Sequence, residues 1–164
     1  MRAAEPDSTG TVEVAGFRVG YEVFGGHHLR TVLLLPTWQI APCRHWRMQI
    51  PYLAEHLRVV AWDPPGIGMG QRTTDPAAFE MDRVVAYGVG VLDHLEIPRA
   101  AIIGLSLGGS FGLWMAAAHP ERVEAAVLTG SVDPAWAYGA DPTFWEERTA
   151  HEGWQMRNAA FWRA

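Results

Sequence analysis

The chain has 164 residues, a formal net charge of −5, 49% hydrophobic and 19% charged residues, and one cysteine. This is the balance of a globular domain with one core; it excludes an internal disulfide, and thirteen arginines without a cluster exclude a nucleic-acid-binding patch. No apolar run approaches the ~20 residues of a bilayer span, the first ten residues hold no apolar signal region, and a lone Cys43 suits a reducing compartment, so a cytoplasmic location is expected.

Residues 1–10 are polar and acidic and read as a flexible tail. Residues 11–15 and 17–24 alternate around Gly16, with Phe17, Val19, Tyr21 and Val23 on one face and Arg18 and Glu22 on the other, which predicts an antiparallel hairpin. Gly25-Gly26-His27-His28 is turn material; the paired histidines have no further ligand at metal-binding spacing, so a solvated loop is expected. Residues 31–35 form a continuous apolar run ended by Pro36, the pattern of a central parallel strand buried on both faces.

Cys43 stands beside Arg44 and His45, part of the setting a reactive thiol needs, yet the chain supplies a better nucleophile further on. Cys43 is therefore read as packing and His45 as locally bonded at a helix start. Residues 44–56 carry Trp46, Ile50, Leu53 and then Leu57 at helical spacing, with Pro51 in the helix or starting its second part. Residues 58–63 are the next strand, and Pro64-Pro65-Gly66-Ile67-Gly68-Met69-Gly70 bends the chain after it. No Lys-Ser/Thr pair follows those glycines, which argues against a phosphate cradle, and Asp63 is expected to accept N–H bonds from the loop. A turn at residues 73–76 precedes a helix over 78–96, with Val84, Val85, Gly88, Val91, Leu92 and Leu95 on one face and His94 off it.

The most informative stretch is residues 100–120. A β-branched run leads into Gly104-Leu105-Ser106-Leu107-Gly108-Gly109, and a helix-compatible segment follows to His119-Pro120. To lift a serine hydroxyl clear of a sheet edge the backbone must bend tightly, and side chains two residues either side would collide with the neighbouring strand and helix. Ser106 is thus expected to be presented as a nucleophile, with the first N–H groups of the helix aimed at the reacting oxygen. Residues 123–129 form a further strand, so strands and helices alternate as in a doubly wound, mostly parallel α/β sheet that binds ligands at the carboxyl ends of its strands.

The Gly104–Gly109 elbow, the His119-Pro120-Glu121-Arg122-Val123 run and Arg58 through Asp63-Pro64-Pro65-Gly66-Ile67-Gly68 together resemble the α/β-hydrolase family, from about Gly16 to Ser131. The resemblance implies that residues 11–131 are the amino-terminal part of such a core, truncated after the strand that follows the nucleophile helix, and that residues 132–164 begin a helical cap. It also implies that the loop after Pro36 donates the second oxyanion N–H. Where the family carries His-Gly, this chain has Pro36-Thr37, and by position the donors are Trp38 and Leu107. The Trp38 side chain lines a substrate pocket or packs under its loop; Trp136 and the other aromatics after Ser131 line an apolar pocket or dock the cap.

The catalytic order implied is serine, acid, histidine. Past Ser106 the candidate acids are Asp133 and Asp141 and the histidines His119 and His151. Asp133 lies three residues past Gly130, the position where haloalkane dehalogenases place their acid; those enzymes carry Asp where this chain has Ser106. The expected function is therefore hydrolysis of ester or amide bonds of a small apolar substrate by a cofactor-free serine hydrolase, with the general base outside these 164 residues and no nucleic-acid or membrane partner. The alternatives are an inert pseudo-hydrolase that binds a small ligand or self-associates through its last strand, and a cofactor-free haloperoxidase or carbon–carbon bond hydrolase.

Overall fold

A computed structural model of the chain describes residues 4–37 and 41–131. Its sheet has six strands, β1 (Ser8–Val14), β2 (Phe17–Phe24), β3 (Thr31–Leu34), β4 (Arg58–Asp63), β5 (Ala100–Leu105) and β6 (Val123–Thr129), in the order β1-β2-β4-β3-β5-β6. The first two form the expected hairpin about Ala15-Gly16, both of which sit at positive φ (50° and 84°). β2 pairs antiparallel with β4, and β4, β3, β5 and β6 are mutually parallel. Three helices connect them: α1 (Ile50–Ala54), α2 (Met81–His94) and α3 (Leu107–Ala118).

Strict alternation along the central strands divides two apolar layers. Leu33, Leu35, Val60, Trp62 and Ile102 point toward α2 and α3, joining Val84, Tyr87, Leu92, Phe111 and Met115. Val32, Leu34, Val59 and Ala61 point the other way, toward Cys43, Trp46 and Ile50. This is why residues 31–35 lack the apolar–polar alternation of a half-buried strand: both faces are covered. Burying each such side chain is worth about 1.5–3 kcal/mol.

Three boundaries differ from expectation. β1 begins at Ser8, inside the stretch read as tail, because the hairpin register carries Ser8 opposite Val23. The helix expected over 44–56 is a 3₁₀ turn (Cys43–Trp46) followed by α1, since Pro51 has no N–H to donate to the preceding turn and instead occupies the first turn of a new helix. The helix expected from 78 is likewise divided. A 3₁₀ turn (Pro76–Phe79), capped by Asp75 accepting from Ala77 N at 3.0 Å, gives way to an extended Glu80 before α2 starts at Met81. Phe79 packs on Gly66 of the loop after β4.

Glu22, expected beside Arg18 on the polar face of the hairpin, is buried. It receives Arg44 Nε at 2.7 Å and Nη2 at 2.8 Å, a two-pronged ion pair that satisfies both carboxylate oxygens. Tyr87 is wholly buried and packs edge-on to Phe17 at 6.3 Å; its hydroxyl has no hydrogen-bond partner among the described residues, and burial raises its pKa. An unpaired buried hydroxyl costs free energy, so Tyr87→Phe is expected to raise stability by about 1 kcal/mol in urea denaturation. A loss of that size instead would show that the hydroxyl has a partner. β6 pairs only with β5 among the described residues, and Val127 on it is exposed. No described helix is long and apolar enough to cross a membrane.

Candidate active site at the ends of β3 and β5

The chain leaves β3 toward β4 on one side, and β5 lies on the other side of β3. The strand order thus reverses between β3 and β5, the kind of switch point outside whose carboxyl ends open α/β sheets bind their ligands. Two segments meet there, the loop that follows β3 and the elbow between β5 and α3.

Ser106 stands at the elbow with φ 57° and ψ −122°, a backbone conformation costing about 1–3 kcal/mol for a side chain other than glycine. Its neighbours dictate it. A Cβ at Gly104 would overlap the Gly108 carbonyl, and one at Gly108 would lie 2.7 Å from the Pro36 carbonyl oxygen. The collision expected for Gly108 is therefore with the loop after β3. Ser106 N donates to Thr129 O at 2.8 Å, and Ser106 O accepts from Gly109 N at 2.8 Å, which pins the residue from both sides. Its side chain is exposed and makes no capping bond to α3. A serine ahead of a helix ordinarily turns its hydroxyl back onto the helix N–H groups; here the positive φ turns it outward. Leu107 N–H, the first of α3, has no hydrogen-bond partner among the described residues.

The loop after β3 is tied at several points. Leu35 N donates to Ile103 O at 2.9 Å, Trp46 Nε1 to Leu35 O at 3.0 Å, and Thr37 Oγ1 to Leu105 O at 2.9 Å. At its far end Cys43 N donates to Asp63 Oδ1 at 2.6 Å, while Asp63 Oδ2 accepts from Met69 N at 3.1 Å. Asp63 is thus the loop acceptor its turn position suggests, and it joins two loops. Trp38, Asp133 and Trp136 lie outside the described residues, as do Asp141 and His151. His119 caps the far end of α3, twelve helical residues and so about 18 Å from Ser106, and its Nδ1 is 3.8 Å from Glu121.

Cys43 is packing, as read. It is buried, its thiol lies 3.6 Å from Glu22 Oε2, and burial, then the charges of Asp63 and Glu22, push its pKa well up. Native Cys43 is expected to resist iodoacetamide at pH 8 and to react once the chain is unfolded, which mass spectrometry of the alkylated peptide decides; rapid native alkylation would contradict the burial. Because the folded thiol is held neutral while the unfolded one ionises near 9.0, its contribution to stability is full below that pH and declines above it. His45 is bonded locally, Nδ1 to Pro42 O at 3.0 Å, and burial lowers its pKa. The His27 and His28 rings lie against each other, centroids 4.0 Å apart and planes tilted by 41°. The ties made by Thr37, Trp46 and Glu22 escape sequence reading, because each joins residues far apart in the chain; the only local sign is a hydroxyl residue placed directly after a strand-ending proline.

Comparison with known proteins agrees with this geometry. A family model described as alpha/beta hydrolase fold matches residues 30–160. The 2-hydroxymuconate semialdehyde hydrolase of Pseudomonas sp. (strain CF600) is 41% identical over 114 residues, which are 63% of this chain and 39% of that protein. The 3-oxoadipate enol-lactonase 2 of Acinetobacter baylyi is 31% identical over 86 residues, 52% of this chain and 32% of that one. Among solved structures, a variant of the meta-cleavage product hydrolase CumD has a TM-score of 0.66 at 31% identity, covering 74% of this chain and 45% of its own. A hydrolase from Pseudomonas aeruginosa PA01 has a TM-score of 0.73 at 27% identity, covering 87% and 51%. The chain therefore spans half or less of the length of most of these relatives. With the family model covering most of its length and the strand–elbow–helix in place, the chain belongs to the alpha/beta hydrolase fold family.

Proposed function

We propose that this chain carries the nucleophile and oxyanion side of a serine hydrolase acting on ester or amide bonds of a small apolar substrate. The observation that carries the reading is the Ser106 conformation: a non-glycine residue at φ 57°, hydroxyl outward, at the head of α3. Strain of that kind persists only where the surroundings enforce it, and here it leaves Ser106 exposed at the head of α3 with the Leu107 N–H unpaired among the described residues.

In this reading Ser106 Oγ attacks the carbonyl carbon as a base removes its proton. The carbonyl oxygen takes up the negative charge and is held by the N–H groups of Leu107 and Trp38 at the positive end of α3. Collapse of the tetrahedral intermediate expels the alcohol or amine and leaves an acyl-serine for water to cleave. No described histidine bonds to Ser106, so the base lies outside the described residues; Asp133 is the candidate within the chain for the orienting acid, and Trp38 and Trp136 for an apolar wall around the substrate. A single buried thiol supports a cytoplasmic site of action.

A second reading is favoured by one observation, the 41% identity to a 2-hydroxymuconate semialdehyde hydrolase. In this reading Ser106 and the same oxyanion donors of this chain serve cleavage of a carbon–carbon bond beside a carbonyl. The first experiment is labelling of the purified chain with a fluorophosphonate probe and mass spectrometry of the modified peptide. Labelling at Ser106 is expected and requires a base from residues 132–164 or from a second chain; a folded chain that stays unlabelled would favour the inert pseudo-hydrolase whose base is missing. Consumption of 2-hydroxymuconate semialdehyde in preference to p-nitrophenyl acetate by the unlabelled protein would favour the second reading.

A further inference from the structure

Every residue of the 3₁₀ turn Cys43–Trp46 makes a tie. Cys43 N donates to Asp63 Oδ1 at 2.6 Å, Arg44 forks onto Glu22, and Trp46 Nε1 donates to Leu35 O at 3.0 Å. Those three reach the end of β4, β2 and the end of β3, so they fasten the turn to the sheet. The tie of His45 is local: its Nδ1 lies 3.0 Å from Pro42 O, just before the turn. A carbonyl oxygen only accepts, so Nδ1 carries the proton and the neutral ring keeps Nε2 as a bare acceptor.

Nε2 is buried and has no hydrogen-bond partner among the described residues, and the ring lies on the Trp46 indole with centroids 4.8 Å apart. A bare acceptor there costs a little; an N–H of a charged ring in the same place would cost far more, because a cation would leave water without a partner. The charged groups around the ring are Asp63 at the end of β4, Glu22 on β2, and Arg44 and Arg47 in and just after the turn. Neither carboxylate bonds the imidazole, since Asp63 accepts from Cys43 N and Met69 N and Glu22 from the Arg44 guanidinium. Burial disfavours the imidazolium and outweighs the attraction of Asp63, so the His45 pKa lies below its ordinary 6.5. A protonated ring satisfies its new N–H by turning out to water, and in doing so it gives up Pro42 and the face of Trp46.

We propose that His45 is an acid-operated latch on this turn: its neutral ring, turned inward, holds the turn closed, and its imidazolium swings to water and loosens the turn together with the Cys43–Asp63 and Trp46–Leu35 ties. The ties at risk hold the carboxyl ends of β4 and β3, the edge of the sheet on which the candidate site lies. The latch does not depend on the chemistry assigned to Ser106. Because the folded pKa is below the unfolded one, the contribution of the neutral ring is complete above pH 6.5 and is lost as the pH falls through the folded pKa.

The test is amide hydrogen exchange of the purified chain from about pH 8 to about pH 5, corrected for the intrinsic pH dependence of exchange, together with an NMR titration of the His45 ring. The amides to read are Arg47, which donates to Arg44 O at 3.0 Å, and Gln49, which donates to Trp46 O at 2.9 Å. Their protection is expected to fall with acid, by at most about tenfold per pH unit, the slope of a single proton. His45→Asn can still offer an N–H to Pro42 O and does not ionise, so its protection, whatever the level at the start, should not acquire that slope. A ring that titrates at or above 6.5, or a His45→Asn chain whose turn loosens with acid as steeply as the unaltered one, would overturn the proposal. If His45→Asn does not fold, His45→Gln takes its place, and the ring titration of the unaltered chain decides the matter by itself.

Discussion

Ser106→Ala is expected to abolish fluorophosphonate labelling, a fall of about 10⁴-fold or more, in line with the cost of removing a catalytic serine from enzymes of this chemistry. The same position makes a second, opposite demand on stability. Alanine inherits the positive φ of 57° and its strain, whereas glycine adopts that region freely. Ser106→Gly should therefore be about 1 kcal/mol more stable than Ser106→Ala in urea, although neither reacts. Such a pair separates the two aspects of the elbow, since labelling reports the oxygen and the urea midpoint reports the backbone. Persistent labelling of the alanine variant, or a glycine variant no more stable than the alanine one, would count against a strained nucleophile.

Asp63→Ala is expected to be the most destabilising substitution near the site, by about 3 kcal/mol. The carboxylate is buried and accepts two backbone N–H groups, Cys43 N at 2.6 Å and Met69 N at 3.1 Å, from loops on either side. Removing it leaves both donors without a partner, each at about 1–3 kcal/mol. Asp63→Asn keeps the shape and one acceptor oxygen, and its loss should fall between. Gly68 shows how closely the loop is fitted to this group: its φ is +47°, and a Cβ there would overlap the carboxylate. Urea denaturation followed by tryptophan fluorescence measures the change, and a loss below about 0.5 kcal/mol would mean that the loops hold each other without Asp63. Because the Cys43 end of the loop after β3 hangs on this carboxylate, Asp63→Asn should also slow labelling at Ser106.

Glu22 and Asp63 are both acidic residues on strands, and they show where reading the chain stops. A carboxylate ending a strand before a Pro-Gly turn has one common local use, accepting N–H bonds from that turn, and Asp63 does so through Met69. That it also holds Cys43, twenty residues back in the chain, is a matter of how two loops meet. Glu22 sits in an alternating strand whose other face is apolar, and alternation alone assigns it to solvent. Burial follows because the 3₁₀ turn before α1 brings Arg44 onto that face, where two hydrogen bonds compensate the buried charge.

What the amino-acid sequence by itself determined is local and periodic. The apolar run from Thr31 makes a strand buried on both faces, Gly104 and Gly108 permit the bend that presents Ser106, and Pro51 sets where α1 begins. Each follows from sterics or hydrophobic spacing within a few residues, which the order of side chains encodes directly. Tertiary structure alone decided that the Thr37 hydroxyl bonds the Leu105 carbonyl, that the Trp46 indole holds Leu35, and that Gly108 abuts Pro36. The Thr37 and Gly108 contacts join positions about seventy residues apart and depend on β3 and β5 lying side by side, an adjacency that only the packed sheet creates.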